Sequence, residues 1–149
     1  MRALAVREAD RKAEARYSRG MKEHEGTAAE APWARVDREI AEIEAARPGE
    51  YDDPTRRNLA ALLDFVRSSG RPAPDVEPGY WPTFNVSWTE LSEARNLVIE
   101  VFDDRYETYR FYDGRSDIQH HDYVGEGVLP PGVIDELPSA LADLERENV

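Results

Sequence analysis

Three adjacent residues, His120, His121 and Asp122, form the densest group of metal-competent side chains in the sequence. Imidazole nitrogens and carboxylate oxygens are the ligands zinc and manganese take, and a bound cation could activate water for hydrolysis. The spacing restricts this chemistry. Neighbouring residues of a strand point to opposite faces, so at most His120 and Asp122 could share an ion, with a third ligand from His24 or a distant acid. A metal-dependent hydrolase using His120 and Asp122 is therefore one alternative, and ordinary polar residues at a hairpin edge are the other.

Other chemistries find less. The strand histidines have no Gly-x-Ser-x-Gly elbow beside them, so no Ser-His-Asp set can be argued. Cysteine is absent, which excludes disulfides, thiolate metal sites and Cys nucleophiles. Gly125-Glu126-Gly127 lacks the lysine and the following helix of a phosphate loop. The 31 Asp and Glu residues are too many to single out a catalytic pair. The expectation is a protein that is not an enzyme, with no cofactor and no metal.

The elements that must position these residues can be read from periodicity. From Thr83 to Val124 short alternating runs are separated by Asp- and Gly-rich turns, the pattern of an antiparallel β-meander. Its first strand places Phe84, Val86 and Trp88 on one face and Asn85 and Ser87 on the other. The last, over about Ile118 to Val124, follows the turn Asp113 to Asp117. Four prolines, Pro72, Pro74, Pro78 and Pro82, lead into the sheet as an extended linker that cannot donate a full set of ladder hydrogen bonds.

Helices precede and follow. One starts near Pro32 and puts Trp33, Val36, Ile40 and Ile43 on one face before Pro48-Gly49 ends it. The next has Asp53 as its expected N-cap, Pro54 at its first position, Leu59, Leu62, Leu63 and Val66 at helical spacing, and Gly70 as its stop. A last helix is expected from about Pro138, with Leu141 and Leu144 inward and Leu137 just before it. Met1 to Glu25 forms a basic helix or frayed arm with a thin stripe at Val6, Ala9, Ala13, Tyr17 and Met21.

Pairing rules bear on the central hairpin, where Phe102 and Tyr106 flank Asp103-Asp104-Arg105. A three-residue loop pairs Phe102 with Tyr106, Glu100 with Thr108 and Leu97 with Phe111. A two-residue loop would set Glu100 against Glu107 and Leu97 against Arg110, opposing like charges and mismatching apolar with charged. The three-residue loop is the expectation. It sends Leu97, Ile99, Val101, Tyr109 and Phe111 to the core. The second face then carries Val98, Phe102, Tyr106 and Tyr112 with Glu100, Thr108 and Arg110, including a diagonal Glu100–Arg110 ion pair. Aromatics among charges suit a binding surface, and Phe102, Tyr106, Tyr112, Glu100 and Arg110 are its candidate residues. The competing reading has a helix of the same chain covering that face.

Charge is distributed unevenly. Residues 1–22 hold seven basic groups and three acids, a net +4, so the stated −12 leaves −16 for the rest. A body that acidic repels nucleic acid and steers basic partners towards it, an effect that weakens with salt. Plain solubility is the other use of surface acids. At 149 residues the chain fits one domain, 27–149, with a basic segment over 1–26, and can bury roughly 70% of the surface its unfolded form exposes. No apolar run approaches the ~20 residues that span a bilayer, and no signal-peptide core precedes the first helix. A cytoplasmic protein without membrane contact is expected.

The runs Pro72-Ala73-Pro74-Asp75-Val76-Glu77-Pro78, Phe84-Asn85-Val86-Ser87-Trp88, Leu97-Val98-Ile99-Glu100-Val101 and Tyr106 to Tyr109 resemble a group of small bacterial proteins with no assigned activity. In these a helix and a Pro-rich connection precede a strand ending in Trp and an L-x-I-E strand. The likeness covers residues 48–112, and it departs at Tyr80-Trp81, where such proteins tend to carry a Gly-containing turn. It implies an α+β domain and supplies no catalytic residue.

Together these features predict a single α+β domain, a four-stranded antiparallel meander packed against helices. Its expected role is non-catalytic binding of a basic protein partner, as an immunity- or antitoxin-like neutraliser or an accessory subunit of a bacterial or phage conflict system. An acidic inhibitor occupying a nucleic-acid-binding site is the alternative within the binding class.

Overall fold

The computed structural model describes residues 30–89, 91 and 96–139. The expected basic N-terminal helix, His24, and the expected helix carrying Leu141 and Leu144 lie outside the described residues.

Helix α1 spans Pro32–Ala46 and α2 spans Asp53–Ser68. Pro32 opens α1 where its missing N–H would have had no partner, and Val36 and Ile43 are buried while Trp33 and Ile40 pack partly against the core. The helix stops at Arg47, ahead of Pro48 and of Gly49, whose φ of +77° suits glycine. Leu59, Leu62, Leu63 and Val66 of α2 are buried as their spacing predicts.

The cap of α2 is one residue earlier than expected. Asp52, not Asp53, accepts from the Thr55 amide at 2.9 Å and from the Thr55 hydroxyl at 2.6 Å. Both residues are Asp, and Asp52 wins because Thr55 offers its carboxylate two donors. Asp53 lies inside the first turn and pairs with Arg56 at 3.2 Å. The Thr55 hydroxyl, and then its amide, hold the Asp52 carboxyl below the ordinary aspartate range. Asp52→Ala should cost about 1 kcal/mol in a urea melt. Asp53→Ala should cost clearly less, and the reverse order would contradict this cap.

A five-stranded antiparallel sheet follows in the order β1 (Asp75–Pro78), β2 (Phe84–Thr89), β3 (Asn96–Val101), β4 (Tyr106–Tyr112) and β5 (Arg115–His120). The strand beyond the expected four is β1, inside the proline run. It pairs with β2 from Asp75↔Ser87 to Pro78↔Phe84. Its edge position tolerates proline, because an edge strand needs ladder partners on one side only. Strand β5 begins at Arg115 instead of near Ile118, since Tyr112 and Arg115 flank a two-residue Asp113-Gly114 turn with Gly114 at φ +82°.

The central hairpin adopts the register that pairing rules disfavoured. Phe102 N–H donates to Arg105 O at 3.0 Å across Asp103-Asp104, Glu100 faces Glu107, and Leu97 faces Arg110. Neither expected penalty stands uncompensated. The Tyr109 hydroxyl lies between the two glutamates, and Arg110 extends past the apolar face so that its guanidinium reaches the Glu136 carbonyl at 2.6 Å. Because side chains alternate, this one-residue slip exchanges the faces of β4. Tyr106 and Thr108 become core, and Tyr109 and Phe111 move to the opposite face.

The core is formed by Val76, Phe84, Val86, Trp88, Leu97, Ile99, Val101 and Tyr106 of the sheet with the apolar stripes of α1 and α2. Phe84, Val86 and Trp88 share one buried face, as expected. A short helix α3, Pro131–Glu136, adds Val133, with Leu137 just beyond it. It was not expected, because six residues are too few to show helical periodicity. Pro138, the expected start of a helix, lies outside any helix.

Candidate partner-binding surface

The register disperses the expected binding face. Tyr106 is 1% exposed beneath α2, its hydroxyl donating to Asn58 O at 2.6 Å, and Phe102 is buried with the Arg105 guanidinium 3.8 Å from its ring centre. Arg110 is tied to α3. Glu100 points the other way, accepting from the Thr83 hydroxyl at 2.7 Å, so the expected Glu100–Arg110 pair cannot form. Tyr112 is half-buried under Arg115, 4.2 Å from its ring centre. These five residues do not make one surface, and Tyr106 is core.

What the slip creates is a polar network on the sheet face opposite α1 and α2. The Tyr109 hydroxyl donates to Glu107 and also reaches Glu100 Oε1 at 3.1 Å. Arg105 Nε donates to Glu107 Oε1, and His120 Nδ1 lies 3.3 Å from the same oxygen. Burial works to raise the Glu107 carboxyl, but the Tyr109 hydroxyl and the Arg105 and His120 charges outweigh it, and the group sits below the ordinary glutamate range. Its stabilisation is present above the unfolded value of about 4.3 and is lost as pH falls through the lower folded value.

Three tyrosines respond in the opposite direction. Burial raises the hydroxyls of Tyr51, Tyr106 and Tyr109, and for Tyr109 the hydrogen bond to Glu107 adds to it. A raised folded value means stability that is intact below the unfolded tyrosine value of about 10 and declines as pH rises beyond it. Unfolding free energy should fall above about pH 10, with the tyrosinate absorbance of these three residues appearing together with unfolding. Tyrosinate formation from these residues in a protein that stays folded would contradict their burial.

The histidines separate as alternation requires. His120 turns to Glu107, while His121 turns to the helix side, with Nε2 3.1 Å from Thr108 Oγ1 and 3.6 Å from Glu136 Oε2. Gly132 lets α3 approach the His121 ring, since a Cβ there would stand 2.5 Å from Nδ1. A cavity of about 380 Å³ opens here, lined by residues including His120, His121, Asp122, Val124 and Pro131. Among the described residues no group of three or more His, Asp or Glu side chains is arranged to hold a metal ion. No helix among them is long and apolar enough to cross a membrane.

The feature that stands out is one the residue pattern did not single out as a site. Tyr80 and Trp81, in the loop between β1 and β2, are 60% and 59% exposed, with ring centres 5.1 Å apart and planes at 89°. Their backbone is fixed from several sides. Gly79 N–H donates to Thr83 O at 2.9 Å, Thr83 N–H donates to Trp81 O at 2.6 Å, and the Arg47 guanidinium donates to the carbonyls of Gly79 and Trp81 at 3.2 Å each. Gly79 is required, because a Cβ would collide with the Thr83 hydroxyl. The available signal was two large aromatics between Pro78-Gly79 and Pro82, in a turn that local chemistry would fill with small polar residues. No family model, curated protein or solved structure matches this chain.

Proposed function

We propose that the protein is a non-catalytic acidic binding module that docks a basic protein partner through the Tyr80–Trp81 tip. One observation carries this reading: two large aromatic rings stand mostly in solvent on a backbone that the fold clamps in place. Aromatic side chains held in this way supply the anchors of protein interfaces, because little freedom is lost on docking. The net charge of −12 favours a partner of opposite sign and speeds encounter with it. A neutraliser of the immunity or antitoxin kind, acting in the cytoplasm, is the role this combination suits best.

The test begins with the tagged full chain in its native host, purified at low salt, and with identification of whatever co-purifies. The complex is then reconstituted from pure components. A basic partner whose association slows with added salt is the expected result. A stoichiometric acidic partner, or binding indifferent to salt, would overturn the reading.

A further inference from the structure

We infer that the recess between Tyr80 and Trp81 receives a cationic side chain of the partner, an arginine in preference to a lysine. The inference rests on the reading of the protein as a binder of basic partners. Two rings at 89° with centres 5.1 Å apart meet edge to face, leaving an L-shaped recess whose two walls are ring faces. Each face carries the negative end of its quadrupole, so a cation seated there is attracted by both. A guanidinium fits better than an ammonium, because it is planar, weakly hydrated and stacks on aromatic faces.

The surroundings agree with this occupant. Glu100 Oε2 lies directly beneath the loop, within 3.2 Å of where a Cβ on Gly79 would stand, and Arg47 is engaged with the loop carbonyls. Those two charges offset each other locally, and the field of the chain as a whole is set by its net −12. That field repels an anionic lipid surface and draws a cationic protein group. Pro78 and Pro82 bracket the loop, and the Arg47 clamp holds its carbonyls, so the backbone that carries the two rings is set before the partner arrives.

The probe is a hexa-arginine peptide, titrated into the full-length protein at low salt by calorimetry and by tryptophan fluorescence. The wild type should bind it more tightly than hexa-lysine. The Tyr80→Ala, Trp81→Ala double variant should bind roughly 5- to 30-fold more weakly, two exposed cation–π contacts' worth. Trp81→Leu keeps an apolar side chain but removes one π face and should lose part of the same affinity, whereas Trp81→Phe should keep most of it.

Unchanged affinity in the double variant, with binding still weakened by salt, would overturn the recess as the cation's seat and leave the acidic-binder reading standing. Wild-type affinity retained by Trp81→Leu would likewise overturn it, assigning the contact to apolar area. Failure of the wild type to bind the peptide at low salt would overturn both. Binding of phosphatidylcholine vesicles lost only in the double variant, without peptide binding, would reassign the tip to a lipid surface.

Discussion

Asn58→Ala should destabilise the protein by about 3 to 5 kcal/mol, because several buried polar groups lose their partners at once. Asn58 is fully buried on α2. Its side-chain amide donates to Phe102 O at 2.9 Å and to Asp103 O at 3.2 Å, holding the turn between β3 and β4. Its side-chain oxygen accepts from Gly127 N–H at 2.9 Å and from the Tyr123 hydroxyl at 3.3 Å, holding the loop that follows β5. No water can replace it without a cavity large enough to admit one. Asn58→Asp keeps the acceptor and loses the donor, so it should also be strongly destabilising, through a buried charge facing two carbonyls. A loss below about 1 kcal/mol for Asn58→Ala in a denaturant melt would show that these two segments are held by something else.

Trp88→Ala should cost a similar ~3 to 5 kcal/mol. The ring is 5% exposed at the end of β2, and its indole N–H donates to Pro72 O at 2.8 Å. It therefore closes one end of the core and anchors the start of the proline run. Trp88→Phe keeps most of the apolar contact and loses the hydrogen bond, so it should cost less, about 1 to 2 kcal/mol with the smaller ring included. A Trp88→Ala loss under about 1 kcal/mol would contradict its place in the core.

What could be read from the residues depended on how local the deciding interaction was. The stripes of α1 and α2 and the inward face of β2 are set by periodicity, and they match. The hairpin register turned on a balance that pairwise rules do not contain. Glu100 opposite Glu107 looks unfavourable until Tyr109, Arg105, Thr83 and His120 are placed around the pair, and Thr83 and His120 come from outside the hairpin. One wrong register then inverted every assignment on β4, which is why Tyr106 was expected on a surface and lies in the core. The Asp113-Gly114 turn, by contrast, carried a strong local hairpin signal that a five-residue turn obscured.

Strand β1 illustrates the opposite error, since four prolines argue against a strand and say little about an edge. The Tyr80–Trp81 tip was visible as residues but not as a site. The backbone that carries it is tied down by Arg47, which lies more than 30 positions away in sequence and donates to the carbonyls of Gly79 and Trp81.

The central claim, docking of a basic partner through this tip, is tested most directly by the binding kinetics of the purified native partner with wild type and with the Tyr80→Ala, Trp81→Ala double variant, at low and high salt. Removing two anchors should accelerate dissociation by roughly 30-fold or more, since about 2 kcal/mol for a single anchor is already a factor of about 30, while leaving association nearly unchanged. Added salt should mainly slow association in both proteins. An unchanged dissociation rate in the double variant would contradict the account.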